Sequence, residues 1–322
     1  MNIARKSFKP YIACRAAYRY LSNQIDTYRN YRRQIRYYNW ANIGDYFEQF
    51  ISNRRIPIPN KTKVNFTSVL GRYEECRNNR SGINIFSTGE NLCRPEFSHY
   101  HQYIQQHPFD LEIGFDYTEK NNRIRFPFWM LRHFKPTASY NDIHETVQRL
   151  THPSGNTGER FCSLVASHDE PGVRRRIYEL LNNIQDVDSA GSFLHNTDLL
   201  NNQYHQDKHS YLQTYKFNIC PENSDREGYV TEKIFDAILA GCIPIYWGSN
   251  NSPEPELINS NAVLFYHKET DNAILQSEIL KLINDKEYFS HFTTQPRLSP
   301  EATDIIWQYF SKLEKHLRNI LK

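Results

Sequence analysis

The sequence predicts an α/β protein with two domains, each built around a mainly parallel sheet. Short apolar stretches, typical of buried strands, alternate with stretches of helical periodicity, and this alternation is the pattern of βαβ units. The chain has 322 residues, which is long enough for two ordinary hydrophobic cores. Its composition, with 39% hydrophobic and 23% charged residues, is that of a folded protein and excludes a mainly disordered chain.

The first predicted domain covers residues 35–150. Strands are predicted at Ile35–Trp40, Ile83–Ser87 and Leu111–Phe115, and a helical turn at Asp45–Ile51. The segment 152–159 is rich in Gly, Pro and small polar residues, so it is the predicted linker between the domains.

The second predicted domain covers residues 158–300 and is followed by a C-terminal helix over residues 299–322. The predicted strands are Phe161–Ala166, Lys216–Cys220, Ile243–Trp247 and Asn261–Tyr266. The predicted helices are Gly172–Asn183, Thr231–Ala240 and residues 271–286.

Residues 1–34 are predicted to form a basic amphipathic helix. Residues 1–37 contain nine Lys and Arg residues and one acid, whereas the remainder of the chain is net acidic. Apolar and aromatic side chains recur at steps of three and four along this arm. Three alternatives stay open: packing on the body of the protein, contact with an anionic membrane surface, and self-association.

The six cysteines show no C-x-x-C spacing, which indicates reduced and mostly buried thiols. The sequence has no secretory signal and no run of about 18 apolar residues that could span a bilayer. We therefore expect a cytoplasmic protein, with peripheral contact to the inner face of a membrane as an open alternative.

A polar loop, Glu222–Gly228, leads from a predicted strand into the helix Thr231–Ala240. The start of a helix attracts anions, most often phosphate, and Thr231 is a suitable N-cap residue. Lys233 is disfavoured by the helix dipole in the first turn, which indicates a bound pyrophosphate. From spacing alone, a merely solvated Lys233 remains an alternative.

Three acidic residues near the ends of predicted strands are equal candidates for a general base: Glu90, Glu112 and Asp116. Asp186 and Asp188 form a short D-x-D pattern, which we interpret as a solvated turn. Arg123 and Arg125 are expected to form structural salt bridges.

Several segments resemble glycosyltransferase family 10, the α-1,3/4-fucosyltransferases of the Lewis-antigen type, in their bacterial form. The signature block of that family is matched by Phe217–Ser224, Gly228–Ile234 and Ile243–Gly248. Three shorter matches precede it in the same order: Thr88–Asn91, Ile113–Asp116 and Pro171–Tyr178. The resemblance extends from about residue 35 to about residue 270, but Asp225–Glu227 departs from the shorter Gly-rich loop of many relatives.

The resemblance implies a GT-B architecture, two Rossmann-like domains facing across a cleft, with GDP-β-L-fucose held by the second domain. Arg174 and Lys233 would bind the pyrophosphate, and Lys208 falls where the family often has a donor-site lysine. The remaining donor-binding residues implied by the resemblance are Asn223, Tyr229, Val230, Thr231 and Glu232. Glu90 matches the position of the general base, which would serve an inverting displacement.

The acceptor implied by the resemblance is an oligosaccharide containing GlcNAc, such as a Lewis-antigen or lipopolysaccharide glycan, fucosylated at the 3-hydroxyl or the 4-hydroxyl. Fixed cations can stabilise a diphosphate leaving group, so we expect no obligatory metal and no other cofactor. One alternative is a GT-B transferase that uses another sugar nucleotide, such as GDP-mannose. A different class of function, nucleic-acid binding through the basic arm, is the second alternative.

Overall fold

The computed structural model describes residues 33–40, 45–71, 73–78, 80–118, 120, 122–270 and 272–322. These residues form two compact units. Unit 1 contains the described residues up to Gly114, together with Thr118–Phe126 and Ser311–Lys322, and unit 2 contains Phe115–Tyr117 and Pro127–Phe310. Nearly all of the helix predicted for residues 1–34 therefore lies outside the described residues.

Unit 1 is built on a five-stranded parallel sheet whose strands follow one another in chain order. The strands are β1 Ile35–Tyr38, β2 Val64–Thr67, β3 Ile83–Ser87, β4 Leu111–Gly114 and β5 Arg123–Arg125. The helices are α1 Tyr46–Asn53, α2 Tyr73–Asn78 and α3 Ser98–Gln106. The strands are buried along most of their length, as expected for a parallel sheet that is covered on both faces.

Aromatic side chains fill the core of unit 1. The fully buried rings of Phe47 and Phe66 stack with centroids 5.1 Å apart, which packs α1 against β2. On another face, Tyr73 contacts Tyr100 and Tyr103 edge to face. Arg123 of β5 donates to the Glu112 carboxylate of β4 at 2.8 Å, which confirms the salt bridge expected for Arg123.

Unit 2 is built on a second five-stranded parallel sheet. Its strands are β6 Arg160–Leu164, β7 Val187–Ser189, β8 Tyr215–Ile219, β9 Ile243–Tyr246 and β10 Leu264–Phe265, in the spatial order β10-β9-β8-β6-β7. Its helices are α4 Phe128–His133, α5 Tyr140–Thr151, α6 Val173–Asn182, α7 Leu199–Asn202, α8 Lys208–Leu212, α9 Glu232–Leu239, α10 Ala273–Asn284, α11 Lys286–Thr294 and the first part of α12, Ala302–Ile320.

The strand order of unit 2 reverses between β6 and β8. From β6 the chain moves to one side to form β7, and it then returns to the other side of β6 to form β8. The helices that leave two such strands diverge, so a crevice opens at the carboxyl ends of the strands, and ligands of doubly wound sheets bind there. This reversal favours a ligand site of unit 2 beyond Leu164 and Ile219.

The two units differ from the predicted boundaries, 35–150 and 158–300, at Phe115–Tyr117, which belong to unit 2, and at two longer segments. Residues 127–150 lie in unit 2, because α4 and α5 pack against α9 and the ring of Trp129 stacks on Phe235 at 4.3 Å. The last turns of α12 lie in unit 1, where Arg318 donates to the carbonyl oxygen of Arg54.

Most of the predicted elements are present, but two predictions in unit 2 are wrong in detail. Residues 186–188 do not form a solvated turn: β7 begins at Val187, and Asp188 accepts hydrogen bonds from Tyr215 and Arg160. The strand predicted at Asn261–Tyr266 is reduced to the two residues of β10. The Asn259 side chain accepts from the Asn261 amide and holds Ser260–Ala262 in a 3₁₀ turn instead.

At the carboxyl edge of the second sheet, the backbone of Gly191 crosses close to the backbone of Ala166. Substitution of Gly191 tests this crossing. A Cβ atom at this position would lie 2.0 Å from the carbonyl oxygen of Ala166, which follows β6. We expect Gly191→Ala to destabilise unit 2 by about 3 kcal/mol, as for an overpacked core, measured by urea unfolding. The matched control is Gly114→Ala, because nothing lies within 4 Å of the added atom there. Equal stability of the two variants would contradict the crossing.

Candidate active site

A pocket lies at the carboxyl ends of β6 and β8, where the strand order reverses. Its walls are formed by the residues that end or follow the two strands, Leu164–Ala166 and Asn218–Pro221. Three cationic side chains complete its lining: Arg174, Lys208 and Lys233. The structure thus brings together Arg174 and Lys233, which were predicted to bind the pyrophosphate, and Lys208, which was predicted as a donor-site lysine.

Arg174 enters the pocket from the first turn of α6. That helix begins here because the Asp169 carboxylate accepts the backbone N–H groups of Arg174 and Arg175, at 3.1 and 2.9 Å. The Arg174 side chain is 3% exposed and donates to the Asn223 Oδ1 atom at 2.7 Å and to the His168 carbonyl oxygen. Burial lowers the pKa of Arg174, although Asp169 and Glu222 oppose this effect, and a guanidinium stays charged near neutral pH.

Lys233 lies in the first turn of α9 beside a carboxylate that the sequence analysis did not single out. The Lys233 Nζ atom is 2.8 Å from Thr231 Oγ1 and 3.3 Å from Glu222 Oε2, and Glu222 is fully buried. Burial lowers the pKa of Lys233, but Glu222 and Glu232 outweigh it, so the pKa is raised above its ordinary value. Lys233 is therefore a fixed cation rather than a freely solvated one.

The start of α9 is not capped in the expected way. Thr231 occupies the N-cap position, but its side chain makes no capping bond to the helix. Its hydroxyl instead donates to Glu222 Oε2, and its backbone N–H donates to Glu222 Oε1, both at 2.7 Å. The Glu222 carboxylate therefore holds the N-cap residue itself, and the expected capping bond from Thr231 to the first helical turn is not formed.

Lys208 is held by an acid one turn beyond Lys233. The Nζ atom of Lys208 lies 2.7 Å from Asp236 Oδ2, and the other oxygen of Asp236 lies 3.3 Å from Nε2 of the buried His133. Desolvation alone would raise the pKa of Asp236, but His133 and Lys208 lower it to about 2. Asp236 therefore stays ionised and fixes Lys208 at the edge of the pocket.

The other residues of the predicted donor site differ in accessibility. Asn223 is partly exposed and contacts Arg174, and Glu232 is about one-quarter exposed, 3.7 Å from Lys233. Tyr229 and Val230 are almost completely buried, and the Tyr229 ring packs edge to face on Phe115. The assignment of these residues to donor binding stays a prediction.

The loop that departs from the family pattern, Asp225–Glu227, is tied to two other segments. Asp225 accepts the backbone N–H of Asn250 at 2.7 Å, within a turn whose residues have positive φ. The Arg226 guanidinium donates to Asp116 at 2.7 Å and lies over the Phe115 ring. These bonds hold the loop in one conformation beside the start of α9.

Glu90 lies in unit 1, just beyond the carboxyl end of β3. Its backbone N–H bonds to Thr88 Oγ1, which forms a tight turn, and its carboxylate is 3.5 Å from Arg94. The Glu90 side chain is 29% exposed, so it reaches solvent at the sheet edge. Of the two alternative bases, Glu112 is buried against Arg123 and Asp116 is bonded to Arg226.

In the described part of the chain, no group of His, Cys, Asp and Glu side chains is arranged to hold a metal ion. Five cysteines are described, none is in a disulfide, and all except Cys93 are buried, which agrees with the predicted thiols. None of the helices among the described residues combines the length and the apolar character needed to cross a membrane.

Two acids of this site, Glu222 and Asp236, were missed as functional candidates. Glu222 stands inside the motif at Phe217–Ser224, and an acid three residues after a buried strand was the available signal. Asp236 follows Lys233 by three residues, so both lie on one face of α9. Asp236 contacts His133 and Lys208, which are distant in sequence, so no local sequence pattern indicates its role.

Comparisons with known proteins agree on one family. The model described as glycosyltransferase family 10 (fucosyltransferase), C-terminal part, matches residues 156–316. The model of the α-(1,3)-fucosyltransferase FucT N-terminal domain matches residues 39–132.

Among curated proteins, α-(1,3)-fucosyltransferase FucT of Helicobacter pylori is 34% identical over 210 residues, which are 57% of this chain and 41% of that protein. α-(1,3)-Fucosyltransferase B of Drosophila melanogaster is 32% identical over 114 residues, 33% of this chain and 26% of that protein. GDP-fucose protein O-fucosyltransferase 3 of Gallus gallus is 30% identical over 140 residues, which are 42% of this chain and 27% of that protein. The matched regions span less than half the length of each of these relatives.

Two solved structures share the fold. A crystal structure of an α1,3-fucosyltransferase superposes with a TM-score of 0.61 at 23% identity, covering 87% of this chain and 89% of that one. A crystal structure of α1,3-fucosyltransferase with GDP-fucose gives a TM-score of 0.56 at 23% identity, covering 87% and 90%. Together with the two parallel sheets, this likeness confirms the predicted GT-B class with two Rossmann-like domains.

Asp236 provides a pH test of the site geometry. Because its folded-state pKa is lowered from 3.8 to about 2, its ionised form stabilises the fold above pH 4, and this contribution is lost as the pH falls toward 2. We expect Asp236→Asn to cost about 2 kcal/mol at pH 7 and about 1 kcal/mol at pH 3, measured by urea unfolding. The control Asp198→Asn removes an exposed partner of His195 and should change little. A cost for Asp236→Asn that is independent of pH would refute the assigned contacts.

Proposed function

The chain belongs to glycosyltransferase family 10, and we propose that it transfers L-fucose from GDP-β-L-fucose to a GlcNAc residue of an oligosaccharide. The acceptor is a Gal-GlcNAc glycan of the Lewis-antigen or lipopolysaccharide type, and the bond forms at the 3-hydroxyl, with the 4-hydroxyl as the alternative. Support comes from the family membership and from the α-(1,3)-fucosyltransferases among the relatives.

The observation that carries the proposal is the cluster of three cations at the strand-order reversal of unit 2. Arg174, Lys208 and Lys233 line one pocket at the carboxyl ends of β6 and β8. Displacement of GDP places additional negative charge on the leaving phosphate, and fixed cations in a partly dry site stabilise that charge. Arg174 can contact two phosphate oxygens with its planar fork, whereas each lysine acts as a point charge.

These cations supply the charge that a metal ion supplies in other transferases, so the proposed reaction has no obligatory metal and no other cofactor. Asn223 and Glu232 are accessible enough to contact the ribose or the sugar. Thr231 is 4% exposed, and its part in the proposed site is to accept a hydrogen bond from Lys233. Tyr229 and Val230 are too deeply buried for their side chains to offer much contact area, and their part in the proposed site is to shape its wall.

Glu90 is the proposed general base. An acceptor hydroxyl is protonated near neutral pH, so an inverting displacement in one step needs a carboxylate to accept its proton. Glu90 is partly exposed at the sheet edge, whereas Glu112 and Asp116 are bonded to arginines at short distances.

The proposed setting is the cytoplasm, and peripheral contact of residues 1–34 with the inner face of a membrane is part of the proposal.

The donor assignment is tested by incubating the purified protein with GDP-fucose, GDP-mannose and other sugar nucleotides beside a small panel of glycan acceptors. We expect GDP release and a product heavier by one fucose only with GDP-fucose and a GlcNAc-containing acceptor, detected by mass spectrometry. Preferential use of GDP-mannose would instead identify the alternative donor. Tight, steeply salt-dependent nucleic-acid binding without any transfer would favour the second alternative.

Replacement of Glu90 tests the assignment of the base. We expect Glu90→Gln to lower kcat by about a hundredfold to ten-thousandfold, because the general base is lost, with the Kd for GDP within about twofold of wild type. The matched control is Glu96→Gln, which removes another carboxylate paired with Arg94 and should leave kcat unchanged. Normal transfer by Glu90→Gln would exclude this residue as the base.

A further inference from the structure

Glu222 follows β8 by three residues and is fully buried. Its backbone N–H donates to the Trp247 carbonyl oxygen at 2.9 Å, which fixes its backbone to the end of the neighbouring strand β9. A buried carboxylate is costly unless it is fully hydrogen bonded or paired with a cation. The position of this side chain is therefore set by its partners.

Both oxygens of Glu222 are directed to the beginning of α9. Oε1 accepts the Thr231 backbone N–H at 2.7 Å and lies 3.4 Å from the Tyr246 hydroxyl. Oε2 accepts the Thr231 hydroxyl at 2.7 Å and lies 3.3 Å from Lys233 Nζ. One side chain thus orders the helix start and the lysine of its first turn.

The chain also leaves room for this side chain. Gly248, which follows β9, has a φ of +132°. A Cβ atom at position 248 would lie 2.9 Å from both Cβ and Cγ of Glu222, which is closer than such atoms approach. Glycine is the residue that permits both this backbone conformation and this contact.

The Lys233 ammonium has three hydrogens, and two of them point to protein acceptors. Thr231 Oγ1 at 2.8 Å and Glu222 Oε2 at 3.3 Å accept these two, while Glu232 at 3.7 Å is within ion-pair distance but beyond a hydrogen bond. The geometry leaves one N–H for a ligand in the pocket that Lys233 lines together with Arg174 and Lys208.

We propose that Glu222 is a positioning residue that aims the Lys233 ammonium at the diphosphate of the donor, an inference that rests on the proposed function. Glu222 carries a negative charge, which taken alone would repel a diphosphate. Its benefit arises entirely through Lys233 and Thr231. The two roles predict opposite effects on GDP affinity. Loss of a purely repulsive charge would tighten GDP binding, whereas loss of a positioning residue weakens it.

The test is a double-mutant cycle on the Kd for GDP, measured by calorimetry with the full chain. Glutamine at position 222 places an NH₂ donor near the Thr231 hydroxyl and the Lys233 ammonium, which are themselves donors. We expect Glu222→Gln to raise the Kd about tenfold and Lys233→Met to raise it about thirtyfold. We expect the double variant to match Lys233→Met within about twofold, because Glu222 acts through the lysine.

Glu254→Gln is the matched control, since Glu254 is also buried, at 2% exposure, and accepts the indole N–H of Trp129 at 2.8 Å. It should reproduce the loss of a buried carboxylate while leaving the Kd for GDP within about twofold of wild type. If Glu222→Gln does not fold, Thr231→Val takes its place in the double-mutant cycle with Lys233→Met. It removes the hydroxyl shared by Glu222 and Lys233 and keeps the backbone bond to Glu222.

Two results would overturn the positioning role in a protein that binds GDP. One is a double variant whose effect equals the product of the two single effects, and the other is tighter GDP binding by Glu222→Gln. Failure of the wild-type protein to bind GDP at all would remove the proposed function and the inference together. The two failures are therefore distinguishable from the wild-type titration alone.

Discussion

A carboxylate withdrawn from water requires compensation by hydrogen bonds or by a cation, and Glu222 has both. This requirement connects the end of β8, the start of α9 and the backbone that follows β9. Thr231 and Lys233 approach Glu222 from the helix, and Gly248 makes space for it from the neighbouring strand. Satisfying this one buried charge therefore helps to hold the start of α9 and the lysine of its first turn.

The location of the pocket follows from topology rather than from any single residue. In unit 2 the chain reverses direction across the sheet between β6 and β8, so the segments after these strands diverge and leave a crevice. The described strands of unit 1 run in sequential order without such a reversal. This difference is one reason for proposing that the donor nucleotide binds to unit 2.

Much of this organisation could be predicted from the sequence. Strands that are mostly apolar, such as Ile83–Ser87 and Ile243–Tyr246, are predicted to within a residue, because burial on both faces of a sheet leaves a clear signal. Short strands with polar residues were missed: Val187–Ser189 contains Asp188, whose charge is satisfied by Arg160 and Tyr215 from elsewhere in the unit. Interactions between distant segments are not encoded in local periodicity.

The same limit applies to the candidate site. Arg174, Lys208 and Lys233 were named from the family resemblance, and the structure brings them to one pocket. The acids that hold two of them were not predicted, since Asp236 contacts Lys208 from 28 positions away in sequence. A sequence motif can identify a cationic residue. The acid that orients this residue comes from another segment of the chain, so it is recognised only in the folded structure.

Each lysine of the pocket has an anionic neighbour of its own, Asp236 beside Lys208 and Glu222 beside Lys233. These two acids offset part of the positive charge that the lysines bring to the pocket, whereas the Arg174 guanidinium also lines it. A bound anion is attracted less strongly by a lysine that already has an acidic neighbour than by an unpaired one, so this pairing lowers the electrostatic cost of releasing a product anion.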